Sequence, residues 1–220
     1  MRYTDAVDGE NRELMQHRHF TFCLGLMGAA HAGATGIAVQ VQDATGKVLP
    51  DTVVYIEAEG GGGGGKPGTA LIEQKGLKFL PLVTVVQTGA TINFPNNDKV
   101  RHHIYSFSPA HKFDQKLYSG QTASPQVFDK AGTVVLGCNI HDKMIAYVKI
   151  VDTPYFAKTD GAGAVRIDLP VAGKYVVKAW HYNTVGGATP EQVLTVKSGE
   201  LATAVFKLPM KPIAADDAAL

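Results

Sequence analysis

Residues 128–148 read FDKAGTVVLGCNIHDKMIAYV. Asp129-Lys130-Ala131-Gly132 is a turn signal, and Thr133 to Gly137 is an apolar, β-branched run that rises to Cys138. Met144 to Val151 descends again with strand character. The two runs read as a hairpin with a short loop at its tip. That loop carries Cys138, His141 and Met144 at i, i+3 and i+6. Around a tight loop between two strands, a thiolate, an imidazole and a thioether at this spacing can converge on one point.

A second imidazole is available upstream. Thr91-Ile92-Asn93-Phe94-Pro95 leads into the loop Asn96-Asn97-Asp98-Lys99, and residues 102–107 read as the next strand, opening with His102 and His103. Successive strand residues face opposite ways, so only one of these histidines can join the donors. Two imidazole nitrogens and a thiolate in a trigonal plane, with a weak axial Met, make a type 1 copper set. Thiolate and thioether are soft donors that favour Cu(I), and imidazole suits both oxidation states. A strand-held set changes little on redox, so electron transfer needs little reorganisation. Zinc is less suited, because Met is a poor zinc ligand and zinc prefers four closing S and N donors. The plain alternative is a buried Cys with incidental His and Met neighbours, since both Cys and Met are common in cores.

Composition agrees with a β protein and excludes several classes. The chain has 220 residues, with 45% apolar and 19% charged, so it is not intrinsically disordered. Lys plus Arg is 21 and Asp plus Glu is 20, a net charge of +1, which argues against a nucleic-acid binder. The 24 Gly and 11 Pro fall mostly between short apolar runs, as turns do in all-β domains. With only Cys23 and Cys138, a disulfide scaffold is excluded. H-E-x-x-H, G-x-S-x-G, Walker and dinucleotide motifs are absent.

The first thirty-two residues read as a leader. A basic stretch, Met15-Gln16-His17-Arg18-His19, precedes the apolar run Phe20 to Ala30, and Ala30-His31-Ala32 is an A-x-A site ahead of Gly33. This order is that of a secretory signal peptide, with cleavage expected near Ala32 and Met15 as an alternative start. The apolar run is too short to span a bilayer, and no lipid anchor is expected at Cys23. The expected location is the periplasm. The mature chain then holds a single thiol, Cys138, which in an oxidising compartment needs a reason such as burial, an intermolecular disulfide or a metal.

Elsewhere strand signals recur at Ile37 to Gln42, Val53 to Ile56, Thr69 to Ile72 and Val83 to Val86. Gly60 to Gly65 reads as a flexible surface loop and not a phosphate cradle, because no Lys-Ser or Lys-Thr and no helix follow it. Thr153-Pro154 marks an expected boundary, which divides the mature chain into a first domain at 33–150 and a small β-rich unit at 151–211. Lys174 to Trp180, Glu191 to Lys197 and Ala202 to Leu208 read as strands of that unit, and residues 212–220 as a frayed tail. His111 is expected to be solvent-exposed in a loop. Trp180 is expected to plug the core of the C-terminal unit.

The 128–148 stretch resembles the C-terminal ligand loop of cupredoxins, the plastocyanin and amicyanin superfamily. Its C-x-x-H-x-x-M spacing is the short, amicyanin-like form. Phe94 to Ile104 resembles the cupredoxin strand that supplies the first His ligand. Asn96-Asn97-Asp98-Lys99-Val100-Arg101-His102-His103, Cys138-Asn139-Ile140-His141-Asp142 and Val151-Asp152-Thr153-Pro154 are similar to stretches of exported cupredoxin-domain proteins labelled methylamine utilization. The resemblance covers residues 36–185. It implies an all-β, Greek-key β-sandwich and one type 1 copper held by His102, Cys138, His141 and Met144. In that alignment His103 takes the place of an Asn that supports the Cys loop, so His103 is expected to bond Asn139, and it is also the alternative first ligand. Gly173-Lys174-Tyr175 with Trp180-His181 resembles the last strands of transthyretin-like or carboxypeptidase-regulatory-like modules, which are usually structural. One departure is notable: Asp142 and Lys143 stand beside His141 where amicyanin-like loops carry apolar residues and Pro. Docking is therefore expected to be more polar and more salt-sensitive.

The leading functional expectation is a periplasmic electron carrier and not an enzyme, since four protein donors leave no open position for a substrate. Its partners would be redox proteins, a periplasmic dehydrogenase or a cytochrome, with no nucleic acid and no stable membrane anchor. The alternatives are a copper-binding or delivery protein, for which the chain has few Met residues, and a metal-free structural or carbohydrate-binding sandwich.

Overall fold

Alternation of apolar and polar side chains shapes nearly every element of this chain. The computed structural model describes residues 35–61, 64–118 and 124–212, and the expected leader at 1–32 and most of the expected tail fall outside them. Strands β1 (Gly36–Asp43), β2 (Val53–Ala58), β3 (Thr69–Leu71), β4 (Glu73–Gln74) and β5 (Phe79–Leu80) come first. β6 (Val83–Gln87), β7 (Ala90–Asn93), β8 (His102–Ser106), β9 (Phe113–Tyr118) and β10 (Gln126–Phe128) follow. β11 (Gly132–Cys138) and β12 (Ile145–Val151) form the hairpin read from the sequence. β13 (Phe156–Lys158), β14 (Ala164–Asp168), β15 (Gly173–Trp180), β16 (Glu191–Val196) and β17 (Leu201–Leu208) complete the set. Among the described residues there is no α-helix, only a short 3₁₀ turn at Val185–Gly187.

Two sheets enclose the first core. One has the order β6-β12-β11-β8-β9 and the other β10-β7-β3. The chain leaves β9, crosses to β10 in the facing sheet and returns as β11 beside β8. That is the Greek-key sandwich implied by the resemblance. Period two sets what faces inward. On β11, Val134, Leu136 and Cys138 are buried while Val135 is exposed; on β8, His102, Ile104 and Ser106 are buried. The inner faces meet around Phe94, Phe128, Ile92, Ile104 and Leu136. Gly137 has a steric reason: a Cβ there would lie 2.8 Å from the Tyr105 ring, which crosses β11 at that residue.

The division at residue 150 is not the one the strands adopt. β1 pairs in parallel with β17 along its whole length, from Gly36↔Leu201 to Asp43↔Leu208, and antiparallel with β14. β2 lies between β13 and β15. Residues 36–58 therefore belong with the C-terminal strands, in sheets β14-β1-β17 and β13-β2-β15-β16. The reason is burial: Ile37, Val39 and Val41 with Phe206 and Leu208 from one sheet, and Val54 and Ile56 with Val177 and Ala179 from the other, form the second core.

Trp180 also differs from expectation. It is 4% exposed and packs with Val53, Tyr55, Val83 and Val151, at the junction of the two strand systems and not in the second core. The Lys149 ammonium stands 5.5 Å from the Trp180 ring and 5.6 Å from the Tyr55 ring. Burial there, with Lys178 nearby, lowers its pKa from the usual lysine range. Burial likewise pushes the neighbouring His181 down to about 4. His111 is not solvent-exposed: its ring is half-buried, packed 4.5 Å from Phe128 and 5.3 Å from Phe113, centre to centre. In the glycine run, Gly65 packs closely on Gln87 and Pro154, so that end of the loop is fitted to the fold.

Candidate metal centre

One end of the first sandwich gathers the donors. β11 delivers Cys138 at its last residue, where it pairs with Ile104 of β8. Inward alternation on β8 delivers His102, fully buried, to the same side. The loop after Cys138 then turns back: the Asn139 N–H donates to the His103 carbonyl at 3.2 Å, and the Met144 N–H donates to the His141 carbonyl at 2.9 Å. This i to i+3 turn brings the His141 ring beside that of His102, with centres 5.1 Å apart.

The donor atoms converge. Cys138 Sγ lies 3.8 Å from His102 Nδ1 and 3.8 Å from His141 Nδ1. Among the described residues, His102, Cys138 and His141 form the cluster able to hold a metal ion, with ligand atoms within 4.8 Å of one another. A metal about 2.3 Å from a thiolate and about 2.1 Å from an imidazole nitrogen, at trigonal to tetrahedral angles, separates those donors by about 3.6–3.8 Å. The spacing and the donor chemistry both fit an ion at the centre. Met144 is 1% exposed and belongs to the same buried cluster as Cys138.

The two histidines of β8 part company here. His103 points to the other face, is half-buried, and its Nε2 pairs with the Asp114 carboxylate of β9. The expected support of the Cys loop by the His103 ring is replaced by a backbone contact, since it is the His103 carbonyl that accepts from Asn139. The Asn139 side chain is exposed. Replacing His102 by alanine is expected to cut copper affinity at least tenfold, while His103→Ala keeps the affinity. Equilibrium competition with a Cu chelator measures both. Equal losses in the two variants would contradict the assignment of faces.

Asp98 is a site residue that the sequence reading missed. Its Oδ2 accepts from His102 Nε2 at 2.8 Å, which leaves Nδ1 free to face Cys138. The same carboxylate accepts the N–H groups of Gly76 at 2.7 Å and Leu77 at 3.1 Å. Burial pushes the Asp98 carboxyl up, but the hydrogen bonds from His102, Leu77 and Gly76 prevail and hold it below the ordinary Asp value. Asn-Asn-Asp four residues before the histidine was a turn signal, and only the turn it makes brings Asp98 back onto the ring.

No protein-family model matches the chain, and no curated protein matches it. Similar solved structures include a copper-containing nitrite reductase from Thermus scotoductus SA-01, at 22% identity over 37% of this chain and 22% of that one, with a TM-score of 0.36. The match thus spans about a fifth of the reductase's length. A purple cupredoxin from Nitrosopumilus maritimus is 22% identical over 37% of this chain and 98% of that one, with a TM-score of 0.33. A variant amicyanin in its reduced Cu(I) form at pH 4 is 18% identical over 44% of this chain and 97% of that one, with a TM-score of 0.35.

Proposed function

We propose that this chain is an exported type 1 copper protein that carries single electrons between redox partners in the periplasm. The observation that carries the reading is the equal 3.8 Å approach of the His102 and His141 Nδ1 atoms to Cys138 Sγ, at a strand-held, largely buried site. Bound copper would supply a Cu(II)/Cu(I) couple. The chain's own residues do the rest. Cys138 and His102 are held by paired strands, so the donor set keeps its shape in both oxidation states. Asp98 fixes the proton of His102 on Nε2 and leaves Nδ1 as the donor. The surrounding Phe94, Ile104 and Leu136 core excludes water from one side of the site. His141, only half-buried, gives the electron a short path to the surface.

With Met144 as a fourth donor, no position would remain for a substrate, which supports a carrier and not an enzyme. The resemblance to proteins labelled methylamine utilization supports a periplasmic dehydrogenase or a cytochrome as partner. The test is a redox titration of the copper-loaded chain, which is expected to give a reversible one-electron potential. Met144→Gln is expected to lower that potential, because an amide oxygen is harder than a thioether and favours Cu(II). A tenfold gain in Cu(II) over Cu(I) affinity lowers it by about 59 mV. An unchanged potential would remove Met144 from the donor set.

A further inference from the structure

Strand polarity brings three of the described segments to the end of the sandwich that carries Cys138. β3, β7 and β11 finish there, and β6, β8 and β12 start there. The chain between β3 and β6 is a small hairpin, β4 against β5, whose turn has Gly76 and Leu77 at φ 62° and 60°. Asp98 ties that turn to the site, because its carboxylate holds the Gly76 and Leu77 N–H groups and the His102 ring together. The hairpin tip is therefore fixed beside the donor cluster.

What these segments expose is not neutral. Leu77 is 48% exposed, Val100 45% and Ile140 49%, one aliphatic side chain from each of the three loops at this end. Each is flanked by exposed cations: Lys75 and Lys78 beside Leu77, Lys99 and Arg101 beside Val100, and Lys143 beyond Ile140. Among the described residues, none of these five is ion-paired. Lys158, Arg166, Lys174 and Lys178, on β13–β15, each have a carboxylate partner. Of the acids on these segments, Asp98 turns inward, while Glu73, which accepts from Asn97 Nδ2 at 2.6 Å, and Asp142 remain as counter-charges, two against the five cations.

An apolar centre with a charged rim is the anatomy of a transient protein interface, and the rim sets encounter rate and partner choice. We propose that this surface docks an acidic face of the chain's redox partner. The identification of the partner as a redox protein rests on the electron-carrier reading; the sign of its charge rests on the five unpaired cations. A protein is favoured over an anionic membrane because the half-buried His141, next to Ile140, is on one of the three loops, and an electron leaving there must meet a redox centre within the docked surface.

Poly-L-glutamate is the probe, titrated at low salt into the full chain, copper-free and copper-loaded, with backbone amide shifts followed by NMR. The shifts are expected to map to residues 75–78, 99–101 and 140–143, and to weaken with added salt. Lys75→Glu, Lys78→Glu and Lys143→Glu together are expected to raise the dissociation constant about tenfold or more. Lys207→Glu, an exposed position on β17, is expected to leave it unchanged. Shifts spread over other faces, or equal losses in the triple and control variants, would overturn the proposal. Binding to phosphatidylglycerol vesicles with no response to polyglutamate would overturn it in favour of a membrane. Because the copper-free chain reports on the surface alone, polyglutamate binding without a reversible potential would retire the electron-carrier reading and leave the surface standing. A reversible potential without polyglutamate binding would retire only the surface.

Discussion

Cys138→Ala is expected to abolish the intense visible band of the copper-loaded chain while leaving the fold in place. The band of a type 1 site comes from charge transfer between thiolate and copper, and Cys138 is the one thiol among the described residues. Without it, His102, His141 and Met144 remain as donors, which can retain some copper but cannot give that band. The fold should hold because the pairing of residue 138 with Ile104 is made by the backbone. Removing one sulfur from a buried site costs about 1 kcal/mol, similar to the loss of one methylene. Visible absorption checks the first part and far-ultraviolet circular dichroism the second. A variant that keeps the band would place the thiolate outside the site.

Trp180→Ala is expected to destabilise the chain by about 3–5 kcal/mol, the range for truncating a buried aromatic. Domain stabilities are typically about 5–15 kcal/mol, so this is a large share. The loss has two sources. The ring fills the junction between Val53 and Tyr55 on one side and Val83 and Val151 on the other. It also forms one of two faces that the partly buried Lys149 ammonium meets. Because Trp180 is the chain's single tryptophan, denaturant unfolding should be followed by circular dichroism and not by fluorescence. Trp180→Phe should recover much of the loss. A change under about 1 kcal/mol in the alanine variant would mean that the two strand systems do not depend on this contact.

Local features of the sequence carry the site better than they carry the division of the chain. Cys138, His141 and Met144 lie within seven residues on one hairpin loop, so a single turn decides whether they meet. Inward alternation on β8 separates His102 from His103, because Ile104 and Ser106 on the same face as His102 are buried. Spacing alone could not choose between the two histidines, since it does not say which face looks inward. Asp98 and Asp114 were hidden for a different reason: each reaches its histidine through a turn or a neighbouring strand, and a carboxylate in a loop has many destinations. The β1 to β17 pairing joins residues 165 positions apart, from Gly36 to Leu201, and no local pattern marks the partner of a strand that far away. β1 alternates as a strand would in either half. Its long-range ladders with β17 and β14 assign it to the second core, and the pairing of β15 with β2, Trp180 against Val53, draws Trp180 to the junction.

If His102, Cys138 and His141 together hold a redox-active copper, the metal itself reports it. The most direct measurement is to load the purified chain with Cu(II), determine bound copper per chain, and record its visible and electron paramagnetic resonance spectra. One copper per chain is expected, with an intense thiolate-to-copper band that bleaches on reduction and returns on oxidation, and the narrow hyperfine splitting of a covalent copper–thiolate site. Copper bound without that band, or no copper bound, would contradict it.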